Sequence, residues 1–251
     1  MIVNGNRPAP VGATPFGKEV HAMSSSGTPR LDALSGIAFV ILMSVALFLP
    51  GPPPKADDSI GKITAMLVEQ RRAFLVGGYV AGLSVLCYLW FAGSVWRHLT
   101  TRTRDQTGLA IAACSGGLFA VTLTLLGMAM FSGVAFKAAA LGGDPALVRA
   151  LTDAGNTAIE TAKFGLAAFL LASCRAGAAS GVLPRWLVGA GVAAASLLIV
   201  SAVALFIDHG PFQFGGPVDL GGGLPAVVWI AALSLAMARR SRDDDVSEAR
   251  P

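Results

Sequence analysis

Six nearly uninterrupted apolar blocks, at residues 34–50, 73–96, 108–136, 155–174, 186–207 and 220–238, constrain this chain more than any other feature of its sequence. A helix of about 20 apolar residues crosses roughly 30 Å of hydrocarbon. Of the 19 Lys and Arg and 15 Asp and Glu among the 251 residues, only Glu160 and Lys163 fall inside a block. The charged fraction is 14%, against roughly 25% in a soluble domain, and the mean hydropathy is +0.64. A soluble enzyme, a secreted disulfide scaffold and a disordered chain are excluded. The expected fold class is all-α: a polytopic membrane helix bundle of six transmembrane helices at about those positions, forming one domain over residues 31–238.

The net charge of +4 does not point to nucleic acid, because the basic residues flank apolar blocks instead of clustering on one face. They read as a topology signal. Arg97, Arg102, Arg104, Arg175, Arg185, Arg239, Arg240 and Arg242 lie on the side shared by the two termini. Lys55, Lys62, Arg71, Arg72, Lys137 and Arg149 form a smaller set opposite. Both termini are therefore expected in the cytoplasm, and the protein in the inner (plasma) membrane as a multi-pass chain. No internal repeat is visible between the two halves.

Residues 1–30, rich in Gly, Pro and Ser, read as a disordered cytoplasmic tail, with Met1 or Met23 as the start. Gly12 to Lys18 has the spacing of a phosphate-binding loop, but Glu19 stands where a Mg²⁺-binding hydroxyl belongs and Pro15 removes a backbone donor. Residues 239–251 read as a charged cytoplasmic tail. Cys87, Cys114 and Cys174 sit in apolar blocks and read as small hydrophobes.

Pro50-Gly-Pro-Pro-Pro54 ends the first block, which lacks the Ala-x-Ala-like cleavage site of a signal peptide. Asp57-Asp58-Ser59 then caps an amphipathic helix with Ile60, Ile63 and Leu67 on one side, expected to lie flat on the membrane surface. Asp144-Pro145 reads as N-cap plus first helical residue, so the fourth helix begins well before the membrane. Leu183-Pro184-Arg185-Trp186 places Arg185 among headgroups and Trp186 in the aromatic belt. The sixth block, opened by Gly221-Gly-Gly-Leu-Pro225, is either a tilted full span or a broken helix.

Three segments carry a family resemblance: Arg30-Leu-Asp-Ala-Leu-Ser-Gly-Ile37-Ala-Phe39, Leu49-Pro-Gly-Pro52, and Leu183-Pro-Arg-Trp-Leu187 with Gly189 and Gly191. In their order the chain resembles an uncharacterised family of six-helix integral membrane proteins, a domain of unknown function frequent in actinobacteria. The resemblance implies a fold and a bacterial inner membrane. It implies no activity, cofactor or catalytic residue.

The candidate site lies on the fourth block. Arg149, Asp153, Asn156, Glu160 and Lys163 advance by four, three, four and three residues, which aligns them on one helical stripe. Counted from Gly155 at about 1.5 Å per residue, Glu160 is about 7 Å deep and Lys163 about 12 Å, near the bilayer centre. Two readings stand. In the first the stripe lines a water-accessible pocket where Glu160 binds a cation or proton and Lys163 is its counter-charge. In the second Glu160 and Lys163 form an i, i+3 ion pair, with Lys163 snorkelling to the outer headgroups.

Asp208, His209 and Asp219 are weak candidates for a metal site on the outer face, with no fixed spacing to support them. No two histidines lie at mid-membrane to hold a haem. No zinc-helix motif, nucleophile elbow or paired carboxylates within one span appear, so no catalytic residue, cofactor or enzymatic activity is expected. Intramembrane Ser and Thr, and small residues four apart such as Gly116 with Ala120, read as helix packing groups. The expected function is transport or binding of a small solute, ion or proton through the stripe. The alternative is a non-catalytic scaffold or accessory subunit with a membrane-protein partner or as a homo-oligomer. The bilayer is the one implied partner, and nucleic acid is not.

Overall fold

The computed structural model describes residues 29–100, 107–138, 143–207 and 209–248. Of the proposed 1–30 tail, residues 1–28 lie outside them, as do the Gly12–Lys18 motif and Asp208, while Pro29 and Arg30 belong to the first helix. The described residues are all-helical, without strands. The helices are α1 (Pro29–Phe48), α2 (Ile60–Glu69), α3 (Arg71–Thr100), α4 (Thr107–Gly133), α5 (Pro145–Ala179), α6 (Arg185–Ser201) and α7 (Pro217–Glu248). A π-helical turn, Val134–Ala138, prolongs α4, and a 3₁₀ turn, Ala202–Phe206, prolongs α6.

Among the described residues, five helical stretches are long and apolar enough to cross a membrane: Arg71–Thr100, Thr107–Phe136, Pro145–Ala179, Arg185–Phe206 and Pro217–Arg239. The apolar run of α1, Leu34–Phe48, is shorter. The doubtful last block is one continuous helix through Pro225. Pro225 has no N–H for the Gly221 carbonyl, so that turn is held by its neighbours. Nor does the helix stop at the first arginines. It runs on to Glu248.

Each long helix packs on its neighbour in sequence, and α1 packs on α7, closing a ring in the order α1, α3, α4, α5, α6, α7. The ring is filled, not hollow. Phe91 of α3, Phe169 of α5 and Trp229 of α7 meet at its centre, with ring centroids 6.2 Å apart for both Phe91–Phe169 and Phe169–Trp229. The buried Trp229 indole satisfies its N–H on the Leu187 carbonyl at 2.7 Å, as a buried indole requires. Tyr88, Leu170, Leu187 and Leu198 complete this plug.

The α4–α5 seam is closer than side chains would permit. A Cβ placed on Gly116 would lie 2.8 Å from the Gly165 carbonyl oxygen, and one on Gly127 would lie 2.7 Å from that of Gly155. The small residues that read as packing groups thus bring two backbones together. Gly189, by contrast, has nothing within 4 Å of an added Cβ.

The short amphipathic helix α2 turns its apolar face into the bundle. Ser59 caps it as expected, accepting from the Lys62 N–H. Ile63 and Leu67, however, are buried against Phe74, Phe131, Val134 and Val148. An apolar face of one helical turn and a half is covered by the ends of α3, α4 and α5, which offer a closer-packed partner than headgroups do.

The turn before α2 is held by Asp58, which accepts from Lys62 Nζ at 2.5 Å and from the Lys55 N–H at 2.9 Å. The Lys62 hydrogen bond keeps the Asp58 carboxyl below its ordinary value near 3.8. A carboxyl whose folded pKa is depressed stabilises above its unfolded pKa and loses that contribution as pH falls through the folded value. Asp58→Asn should therefore lower the melting temperature at pH 7, with the difference from wild type shrinking to nothing in strong acid.

Candidate functional site

Helix α5 begins at a built N-cap, Asp144, whose side chain accepts from the Ala146 N–H at 2.9 Å, with Pro145 in the first turn. It is 35 residues long, about 52 Å at helical rise and longer than the hydrocarbon is thick. Small residues beside the polar stripe (Gly155, Ala158, Ala162, Gly165) are buried. The part of the stripe from Asn156 to Lys163 is therefore pressed into the bundle.

The five stripe residues divide into two groups. At the outer end Arg149 pairs with the exposed Asp153 at 2.9 Å. Its remaining nitrogens donate to the Ala56 and Asp58 carbonyls at 2.7 and 3.1 Å. These two tie α5 to the chain between α1 and α2. Further along, Asn156, Glu160 and Lys163 turn inward, with Glu160 only 2% exposed.

The fourth member of the buried group comes from α7. Lys163 Nζ stands 2.8 Å from Glu160 Oε2 and also donates to Asp219 Oδ1. The ammonium thus faces another helix and does not snorkel to a surface. Asp219, 5% exposed, lies in the first turn of α7, where the helix dipole favours an anion. Its Oδ2 accepts from the Gly215 N–H at 2.7 Å. Gly215 has φ +71, a conformation natural to glycine. A Cβ there would also come 3.2 Å from the Pro53 carbonyl oxygen. The α6–α7 loop is thereby laid against the same 53–58 segment that Arg149 holds.

Two carboxylates share one ammonium, leaving one formal negative charge in a buried setting. Among the described residues, Asn156 Oδ1 and both Glu160 oxygens have no partner at hydrogen-bonding geometry. Buried acceptors of this kind are rare, because each unmade hydrogen bond costs about 1–3 kcal/mol or more for a charged group. All three are acceptors. Glu160 Oε2 has the Lys163 ammonium 2.8 Å away, whereas Asn156 Oδ1 and Glu160 Oε1 have no donor, a place that a proton, a water or a cation would fill.

The position of the group along the bundle differs from the count started at Gly155. From Asp219 to Arg239, where the apolar part of α7 ends, the helix rises about 30 Å, a full hydrocarbon thickness. Asp219 and Lys163 are in contact, so the cluster lies at the loop end of the apolar part of α7. The Phe91–Phe169–Trp229 plug lies on its other side, with Phe169 about 9 Å further along α5 than Lys163.

Asp219 was considered from sequence only beside Asp208 and His209. In the structure His209 is exposed, Asp219 is taken by Lys163, and no group of three or more His, Cys, Asp or Glu stands ready for a metal among the described residues. The three cysteines are free thiols. The partnership of Asp219 with Lys163 joins residues 56 apart. The available hint was a lone acid at the head of the weakest apolar block. Comparison of the chain with known proteins finds no matching family model, no matching curated protein and no matching solved structure.

Proposed function

We propose that the Glu160–Lys163–Asp219 cluster is a proton- or cation-binding site in a six-span inner-membrane bundle that carries or senses a small ion or solute. In this reading α1 is the sixth crossing, both termini are cytoplasmic, and the bundle belongs with the six-helix membrane proteins it resembles. The carrying observation is the surplus of buried acceptors: two carboxylates around one ammonium, with Asn156 Oδ1 and Glu160 Oε1 still lacking donors. Ionisable groups are costly within a membrane and usually mark an ion or proton path. The aromatic plug supports access from the loop end alone in this conformation, so passage requires the plug to open. The protein acts here by binding and not by bond-making chemistry.

The test is infrared difference spectroscopy of the reconstituted protein across a pH titration, together with dye-reported proton flux in proteoliposomes. A protonated-carboxyl band that titrates in wild type and is lost or displaced in Glu160→Gln is expected, as is flux above empty liposomes that Glu160→Gln abolishes. An unchanged spectrum and equal flux in both proteins would remove the site from function.

A further inference from the structure

A second site lies on the bundle's surface at the loop end, apart from the buried cluster. The end of α1 and the junction of α2 with α3 enclose an open groove of about 840 Å³, whose walls include Phe48, Leu49, Val68, Gln70, Arg71 and Arg72. Its size is that of a small-molecule site. The chain leaving α1 turns at Gly51, φ +83, where an added Cβ would lie 3.4 Å from the Gln70 side chain.

The walls differ in character. One is apolar and open: Phe48 is 59% exposed and Val68 43%. The other is basic. Arg71 rests its guanidinium on the Phe136 ring, 5.3 Å from the centroid, a cation–π contact that fixes the group's plane. Its Nε is buried with no acceptor. Arg72 beside it is exposed. Among the described residues neither arginine forms an ion pair, and the one acid of the lining, Glu69, leaves the groove net positive. These arginines immediately precede the apolar part of α3, so they stand at headgroup level.

An apolar wall open to the side, two guanidinium groups without ion-pair partners among the described residues, one of them held on Phe136, and a place at the hydrocarbon boundary fit one occupant. We propose that this groove binds an anionic phospholipid of the surrounding bilayer, its phosphate on Arg71 and Arg72 and the upper part of an acyl chain along Phe48, Leu49 and Val68. Guanidinium groups suit phosphate through paired donors, and basic pockets at membrane surfaces hold anionic headgroups.

The full chain, purified in a non-ionic detergent, is titrated with phosphatidylglycerol or phosphatidylcholine, and bound lipid is counted by native mass spectrometry. Saturable binding of phosphatidylglycerol, at least tenfold tighter than phosphatidylcholine, is expected. The variant R71Q/R72Q should lose that preference, while R175Q/R185Q, with the same charge removed at the opposite end, keeps it. Phe48→Gln should weaken both lipids together. Arg72→Glu, at an exposed position, carries the same expectation should the double variant fail to fold. Equal binding of the two lipids, undiminished phosphatidylglycerol binding by the arginine variants, or equal competition by glycerol phosphate without acyl chains would each overturn the proposal.

Discussion

Lys163→Met is expected to destabilise the protein by about 3–5 kcal/mol, the usual result of removing one partner from a buried ionic group. Glu160 and Asp219 would be left facing each other with no cation between them, and both are almost wholly buried. The measurement is equilibrium unfolding in mixed micelles at pH 7. Asp219→Asn should cost less, about 1–3 kcal/mol, because Glu160 still balances the ammonium and only the Gly215 and Lys163 contacts weaken. The triple variant E160Q/K163M/D219N should recover most of the loss, since neutral groups of similar shape replace buried ion pairs with little penalty. It should nonetheless show none of the titration expected of wild type. That division, stability restored and proton binding absent, is what separates a functional cluster from a purely structural one. A Lys163→Met protein as stable as wild type would contradict the burial on which the site rests.

The second large effect is expected at the α4–α5 seam. Gly165→Leu should prevent these helices from pairing, and Gly165→Ala should cost about 1–3 kcal/mol as overpacking. An added Cβ would stand 2.6 Å from the Gly116 carbonyl oxygen and 2.6 Å from Phe119 Cδ1. The phenyl ring can move aside, but a carbonyl inside a helix cannot. Gly189→Ala is the control. Its added methyl meets nothing within 4 Å, so it should stabilise by about 0.4–1 kcal/mol through the unfolded chain. Thermal aggregation profiles of the two alanine variants should therefore move in opposite directions, and a shared direction would mean the seam is looser than drawn.

Much of this architecture is written locally in the sequence. The charge-free blocks became long helices because burial in hydrocarbon demands internally satisfied backbone, and the Asp144-Pro145 pair started α5 where a cap and a fixed φ coincide. The spacing from Arg149 to Lys163 gave one face because helical periodicity is a local property. What spacing could not reveal was which parts of that face would be covered. Arg149 went to a loop about 90 residues away, Asp153 stayed exposed beside it, and Lys163 met an acid from the last helix. The docking of α2 had the same origin, because Ile63 and Leu67 specify an apolar face but not its partner. Both results depend on how the helices are ordered around the ring, which periodicity within one helix does not encode.

That order bears on how the protein is made. Each helix of the ring meets its predecessor, and only the α1–α7 contact joins the two ends of the sequence. The chain emerges from the ribosome N-terminus first, so α5 exists before α7 has been synthesised. During that interval Glu160 is the partner Lys163 has from its own helix, and the i, i+3 pair carries no net charge as α5 leaves water. The ammonium gains its second carboxylate when α7 closes the ring, and with it the cluster gains its surplus negative charge. Glu160 thus serves first as an escort for a lysine entering lipid and afterwards as half of an acceptor pair. The site comes into being as the last step of assembly, so a chain shortened before α7 would keep the escorted lysine and never acquire the site.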